Sequence, residues 1–374
     1  MILYSSFWYI EGGRLLPPYF KEVIRVKKRI LAVILMIVTM CVNLSACSFN
    51  KEKRYEAEFL LLFDTVTQIV GYANTKEDFS EYTQLVYDNL KEYHELYDIY
   101  NDYDGKNNIK TINDNAGIKP VKVDKKIIDL LLFSKDAYEL TDGKVNVAFG
   151  AVLEVWHQYR EEGTENPDKA ALPPMDILEE KAMHTDINKV IINEADSTVY
   201  LEDPEMSLDV GAIAKGYATE MVSNIAYEQG YKNGMISVGG NVRTMGSKGN
   251  NKQDWKVGIQ NPDLEDENKQ LYILSFKDDS LVTSGVYQRY YTVDGKQYHH
   301  IIDPVTLMPS DYFTAVTILC KNSGMADALS TAVFNMPYEE GKEFVESLPD
   351  TEALWVFKDG GEKSSSGFQD YIAK

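Results

Sequence analysis

KVIIN (189–193), STVYL (197–201), GMISVGG (234–240), WKVGIQ (255–260), LYILSF (271–276), LVTSGV (281–286) and YYTV (290–293) follow one another along the chain. Each is short, rich in β-branched and aromatic residues and bounded by turn residues, the pattern of a strand. AVTILC (315–320) and ALWVF (353–357) continue the series, and EFLLLFDTVTQIVGYA (58–73) opens it as a strand or the start of a hairpin. Among these runs the apolar spacing predicts two well-marked helices, at about 212–229 and 325–335. Strands at hairpin spacing with a few segregated helices predict an α+β fold of mainly antiparallel sheets, not a doubly wound βαβ sheet.

Working outward, residues 78–99 carry Phe79, Tyr82, Leu85, Val86, Leu90, Tyr93 and Leu96 at helical spacing. NDYDGKNNIKTINDNAG (101–117) reads as a polar loop. Asp124 is a candidate N-cap for a helix bearing Ile127, Ile128, Leu131, Leu132 and Tyr138, closed by Thr141-Asp142-Gly143. The charged, Pro- and Gly-bearing stretch 160–176 reads as a surface insertion. No repeat or Pro/Ser-rich linker divides residues 58–374, which are expected to fold as one unit of one lobe or two.

The chain has 374 residues, 44% of them apolar and 26% charged, and a net charge of −20. That balance excludes a disordered tail and a polytopic membrane protein. It also argues against nucleic acid as a partner, since nothing neutralises a phosphate backbone. With Cys41, Cys47 and Cys320 alone, a disulfide framework is excluded as the main source of stability.

The basic charge is uneven. Residues 1–46 hold six Lys/Arg and two Asp/Glu, whereas the rest holds 32 and 56. Lys27-Lys28-Arg29 leads into ILAVILMIVTMCV (30–42) and then Leu44-Ser45-Ala46-Cys47. A basic segment, a short apolar run and small residues before a cut site make a secretory signal. Followed by Cys47, this one resembles the lipobox of bacterial lipoproteins, in which that Cys becomes N-terminal and receives acyl chains. A single membrane span is the alternative, although the apolar run is short of the ~20 residues a span needs. The expected organisation is a signal region at 1–46, a lipidated Cys47 with a polar tether to 57, and a body at 58–374 held at the extracytoplasmic face of the cell membrane. Residues 1–22 do not fit the basic segment, so translation is expected to begin further along, near Val26.

Four segments could carry chemistry. In SLDVGAIAKGYA (207–218) a strand end enters a turn and a helix, whose first free N–H groups, with Lys215, would attract a phosphate. Alone, it reads more economically as an ordinary strand-turn-helix. In MADALST (325–331), Asp327 and Thr331 lie four apart on one helical face and offer two hard oxygens suited to Mg²⁺. Alone, the pair is better explained by an acidic residue favoured by the helix dipole and a buried Thr hydroxyl bonded back to the backbone. HHIIDP (299–304) places two histidines beside Asp303, and histidine is the natural proton acceptor near neutral pH. ISVGGNVR (236–243) has a diglycine, Gly239-Gly240, that admits a close ligand or forms a bulge.

In this order, TDGKVNVAFGAVLEVW, LDVGAIAKGYA, ISVGGNVRTMG with WKVGIQNP, TSGVYQRYY, HHIIDP and MADALSTAVF resemble the ApbE family of FAD:protein FMN transferases. FDTVTQIVGY (63–72) fits as well, so the resemblance spans about residues 58–357. It implies a reaction: FAD and Mg²⁺ bind, FMN moves to a threonine or serine hydroxyl of an acceptor flavoprotein, and AMP leaves. The acceptor would be an FMN-carrying subunit of a membrane redox complex or another exported flavoprotein. By position, the resemblance implies Asp327, Thr331 and the Ala212 carbonyl as Mg²⁺ ligands and Lys215 as a flavin-nucleotide contact. His300 is implied as proton acceptor, with Asp303 as second choice. Phe63, Lys144, Val145, Asn146, Gly239, Gly240 and Ile301 fall at FAD contacts. Three positions depart from the family pattern: Asn146 stands for an aspartate, Val286 for an aspartate common after Ser-Gly, and Phe63-Asp64 for Met-Gly. An Mg²⁺-dependent FAD pyrophosphatase and a lipid-anchored flavin-binding protein remain the alternatives.

Overall fold

The computed structural model describes residues 9–11, 14–16, 52–249, 252–287 and 289–374. The apolar run 30–42 and Cys47 lie outside the described residues. Ahead of the body, β1 (Tyr9–Glu11) pairs antiparallel with β2 (Arg14–Leu16).

The body is built on an eight-stranded sheet in which every pairing is antiparallel. From one edge to the other it runs β17 (Glu362–Ser364), β16 (Glu352–Phe357), β15 (Phe313–Cys320), β12 (Ser280–Gly285), β9 (Asn241–Met245), β8 (Gly234–Val238), β4 (Thr65–Ala73) and β3 (Lys53–Leu62). The α+β expectation holds. The strand begins earlier than expected, however, so residues 53–57 are not tether. Glu56 and Glu58 alternate with the buried Ala57 and Phe59, and β3 is a charged edge strand that pairs on one side only.

One face of the sheet is covered by three helices. Helix α1 (Lys76–Tyr97) starts at a capping box between Thr75 and Asp78 and buries Phe79, Tyr82, Val86, Leu90, Tyr93 and Leu96. The other two, α6 (Ala214–Glu228) and α7 (Ser323–Phe334), cross each other above the middle strands. The opposite face is covered by the hairpin β10 (Trp255–Gln260) with β11 (Gln270–Phe276), which buries Trp255, Leu274 and Phe276 against Leu281, Leu319 and Leu354.

Helices are more numerous than the sequence predicts. The polar loop 101–117 contains α2 (Ile109–Asn113), capped by Asn108. Helix α3 (Lys125–Leu140) starts at Asp124 as expected. The supposed insertion 160–176 instead holds the end of α4 (Gly150–Glu165) and the start of α5 (Met175–Ala182), and α8 (Tyr338–Ser347) follows α7. The apolar face of α4 is interrupted by small residues with packing roles. A side chain at Gly150 would meet the Ser207 carbonyl at 2.3 Å, and one at Gly163 would meet the Tyr291 ring at 2.6 Å. Helices α4 and α5, the hairpin β13 (Tyr290–Val293) with β14 (Lys296–His299), and the turn after Asp303 form a smaller second cluster around Trp156, Leu178 and Tyr291. A three-stranded sheet of β5 (Val121–Lys122), β7 (Thr198–Leu201) and β6 (Val190–Asn193) completes the body.

Candidate active site

The chain enters α6 through the turn Asp209–Ile213. Asp209 Oδ1 accepts from Gly211 N at 2.8 Å, and the Val210 carbonyl accepts from Ile213 N and Ala214 N. Ile213 at the N-cap makes no side-chain cap, so the helix start needs an acceptor from elsewhere. Asp327 supplies it across 111 residues of sequence: its Oδ2 accepts from Gly216 N at 2.8 Å. The glycine is required by the crossing, because a Cβ there would lie 2.3 Å from the Ser323 carbonyl oxygen and 2.5 Å from Asp327 Cβ.

Asp327 is 4% exposed. Burial raises its carboxyl above the usual carboxylate range, while the Lys215 charge, the Gly216 N–H and the Asn241 amide favour the ionised form. Thr331 follows one turn later on the same face, partly buried, and Ala212 is partly buried in the turn before α6.

Gly239 and Gly240 are neither a bulge nor part of a strand. They form the two-residue turn between β8 and β9, with φ of 58° and 91°. Two successive left-handed residues are what a tight hairpin turn needs, which explains the pair. Gly239 N donates to the Val66 carbonyl at 3.0 Å, and a Cβ at Gly239 would meet Thr65 Oγ1 at 2.7 Å, whereas Gly240 faces open space. The turn therefore packs against the β3–β4 turn and delivers Asn241, whose buried Nδ2 has no well-aligned hydrogen-bond partner among the described residues, to the side of the Asp327 carboxylate that it favours. Phe63 and Asp64 form that neighbouring turn with φ of 54° and 52°. Phe63 N donates to His94 Nδ1 at 3.2 Å and its ring meets the His94 ring edge-on.

The two histidines of HHIIDP have separate roles. His299 Nε2 donates to the Ser310 carbonyl at 2.7 Å, and its Nδ1 accepts from Ile301 N at 3.2 Å, so both nitrogens serve the fold. His300 Nδ1 faces the Arg289 carbonyl at 3.2 Å, which only accepts; Nδ1 therefore carries the proton, and Nε2, which has no partner among the described residues, is left to accept. Burial pushes the His300 imidazole down to about 3, opposed by that carbonyl and reinforced by the charges of Arg289, His299 and Arg160. The ring is neutral at physiological pH.

Asp303 is buried, with both oxygens engaged: Oδ1 lies 3.2 Å from Lys144 Nζ and accepts from Val305 N, and Oδ2 accepts from Thr306 Oγ1. It holds Lys144 and its own turn. Val145 and Ile301 are buried in the core. Asn146 caps the following turn through Ala148 N and donates Nδ2 to the Thr185 carbonyl at 2.8 Å. An aspartate could accept the first bond but not donate the second, so the amide has a structural reason.

Residues not singled out in the sequence connect the two ends of the site. Asp209 is partly buried, and burial raises its carboxyl, opposed by the Gly211 N–H and the charges of His157, Arg160 and Lys215. Lys215 thus acts on Asp209 and Asp327 alike, and Arg160 acts on Asp209 and His300. Asp209 lies inside a quoted motif, where its residue type was the signal. Arg160 was hidden by reading its helix as an insertion.

Residues 63–355 match the ApbE family. The chain belongs to it. The FAD:protein FMN transferase of Treponema pallidum (strain Nichols) is 32% identical over 277 residues, covering 71% of this chain and 74% of the relative. That of Klebsiella pneumoniae (strain 342) is 32% identical over 274 residues, covering 73% and 81%. The ApbE protein of Thermotoga maritima superposes with a TM-score of 0.75 at 28% identity, over 86% of this chain and 100% of that one. The flavin transferase ApbE of Vibrio cholerae shares the fold, with a TM-score of 0.71 at 23% identity over 86% and 99%. In this ApbE-family chain, Ala212, Lys215, Asp327 and Thr331 gather at the α6–α7 crossing. Lys144, His300 and Asp303 gather beside the second cluster, and Ile301 next to them is buried in the main core. Phe63 sits at the hairpin turn against which the diglycine turn packs. Val145 and Asn146 have side chains committed to the fold.

Proposed function

We propose that this chain is a magnesium-dependent FAD:protein FMN transferase, moving the FMN half of FAD onto a threonine or serine hydroxyl of an acceptor protein. The observation that carries the reading is the match of residues 63–355 to the ApbE family, together with a His300 whose Nδ1 is held by the Arg289 carbonyl and a buried Asp327 that caps α6. The residues suit a hard divalent cation: the Asp327 carboxylate, the Thr331 hydroxyl one turn on, and the Ala212 carbonyl at the helix start that Asp327 already caps. Among the described residues no three His, Cys, Asp or Glu side chains cluster as metal ligands, so backbone, water and substrate oxygens would complete the shell. Mg²⁺ bound there supplies positive charge to the pyrophosphate oxygens.

Lys215 adds a point charge beside Asp327. His300 Nε2 takes the proton as the acceptor hydroxyl oxygen bonds to the phosphorus of the FMN half. The bond from that phosphorus to AMP breaks, and AMP leaves with the electron pair. Asp303 would orient Lys144 toward the nucleotide, with Phe63 and the open Gly240 at the neighbouring turns as its further contacts.

A lipid anchor at Cys47 and an extracytoplasmic location belong to the same proposal, supported by the basic segment, apolar run and Leu44-Ser45-Ala46-Cys47. Cys47→Ser should move the full chain from the membrane to the soluble fraction. For the reaction, protein lacking residues 1–47 is incubated with FAD, Mg²⁺ and an acceptor domain from the same genome. The expected result is a magnesium-dependent fluorescent acceptor band on a denaturing gel, with matching AMP. AMP without labelling of any acceptor would identify a pyrophosphatase, and FAD binding with neither product would leave a flavin-binding protein.

A further inference from the structure

The crossing of α6 on α7 is tied a second time, in the opposite sense. Asp327 of α7 caps α6, and Glu220 of α6 caps α7: Glu220 Oε2 accepts from Ser323 N at 2.9 Å. Glu220 is 5% exposed. The same oxygen lies 3.0 Å from Arg243 Nε on β9, a charge contact without hydrogen-bond alignment, and Oε1 accepts from Asn224 Nδ2 at 3.3 Å. Arg243 Nη1 donates to the Thr244 carbonyl at 2.6 Å. A buried ion pair is expensive to desolvate and contributes little net stability over apolar replacements. None of the chemistry assigned above uses it.

Its placement suggests a use. Ser323 is the first residue of α7, four before Asp327, and Arg243 stands two residues after Asn241 on the same face of β9. The pair therefore fixes both the helix that carries Asp327 and the strand that carries Asn241 beside it, relative to the helix that carries Lys215. We propose that Glu220 and Arg243 are positioning residues that set Asp327 for the cation; this rests on the reading of Asp327 as a magnesium ligand.

The test is titration of Mg²⁺ into FAD-loaded protein by calorimetry, alongside FAD affinity without metal and melting temperature. Glu220→Leu with Arg243→Met removes both charges together and leaves neither uncompensated. Ser323→Pro removes the N–H from which Glu220 accepts, together with the buried Ser323 hydroxyl, at the first helical position, where proline is tolerated; Ser323→Ala, which keeps the N–H, controls for the hydroxyl. In the double variant and in Ser323→Pro the Mg²⁺ dissociation constant should rise about tenfold or more, as for loss of groups that orient metal ligands, while FAD affinity without metal changes less than about twofold. Wild-type Mg²⁺ affinity in either folded variant overturns the proposal; should the double variant not fold, Ser323→Pro decides alone. A wild-type protein that takes up no Mg²⁺, or an Asp327→Ala variant that binds it as well as wild type, would instead refute the underlying assignment of Asp327.

Discussion

Around Asp327 the polar contacts join helices far apart in sequence, over 111 residues to Gly216 and 103 from Glu220 to Ser323. Around His300 they run along one stretch of chain: eleven residues to Arg289, and two and three from Asp303 to Val305 and Thr306. That second region is joined to the rest of the body by Lys144 on Asp303 and by Trp156 Nε1 on the Leu307 carbonyl. The cation end of the site is thus made by the core, and a change there costs stability as well as chemistry. The proton-accepting end is made by local turns and can lose its chemistry while the fold stays intact.

Asp327→Ala tests the first half most severely. Loss of the cation's several kcal/mol of charge stabilisation should lower kcat/KM for AMP release about a thousandfold or more. The uncapped Gly216 N–H costs about 1 kcal/mol in urea unfolding. Activity within tenfold of wild type would break the comparison at its strongest point. Gly216→Ala comes next. A methyl 2.3 Å from the Ser323 carbonyl must push the helices apart, costing about 3 kcal/mol and weakening Mg²⁺ binding together with stability.

The adjacent histidines sharpen the contrast. His300→Gln should lower kcat about a hundredfold with little change in melting temperature. His299→Gln should do the reverse, losing about 2 kcal/mol of stability through its buried bonds. The pH dependences differ too. Burial lowers His299 to about 4 from an ordinary 6.5, so the unfolded chain binds the proton more readily in that window. This residue's contribution to stability is fully present above pH 6.5 and falls toward pH 4, by at most about 1.4 kcal/mol per pH unit. His300, lowered in the same direction, adds a like fall toward pH 3, so His299→Gln should lessen the acid-side slope without abolishing it. Proton acceptance by His300, held near 3, should persist across pH 5 to 8 and be lost only as pH drops through about 3. The smallest effect is expected at Asp64, whose φ of 52° is left-handed. Asp64→Gly should raise stability by about 0.5 kcal/mol without altering chemistry.

Much of the fold was legible because its signals are local. Asp124 caps its helix, and β-branched runs with turn residues between them form the central sheet. Helix α4 was not legible, since the glycines that weaken its pattern are explained only by Ser207 and Tyr291, distant in sequence. Arg160 was lost with it. In the site, residue types and spacing brought out Asp327, Thr331 and Lys215. Nothing local distinguishes His299 from His300; the difference arises from which backbone carbonyl faces each ring. The role of the Asn146 amide likewise depends on Thr185.

The position of β3 acquires a further meaning with the lipid anchor proposed at Cys47. Five residues lie between that cysteine and Lys53, a leash of six chain steps that spans at most about 22 Å. The ten-residue strand then spans roughly 34 Å before the turn that adjoins the diglycine hairpin. With that anchor in place, the turn at Phe63 would lie no farther than about 55 Å from the bilayer surface. An acceptor threonine on the same membrane within that height meets the enzyme at a high effective concentration, whereas one held on a taller stalk would be out of range however well its sequence suited the site.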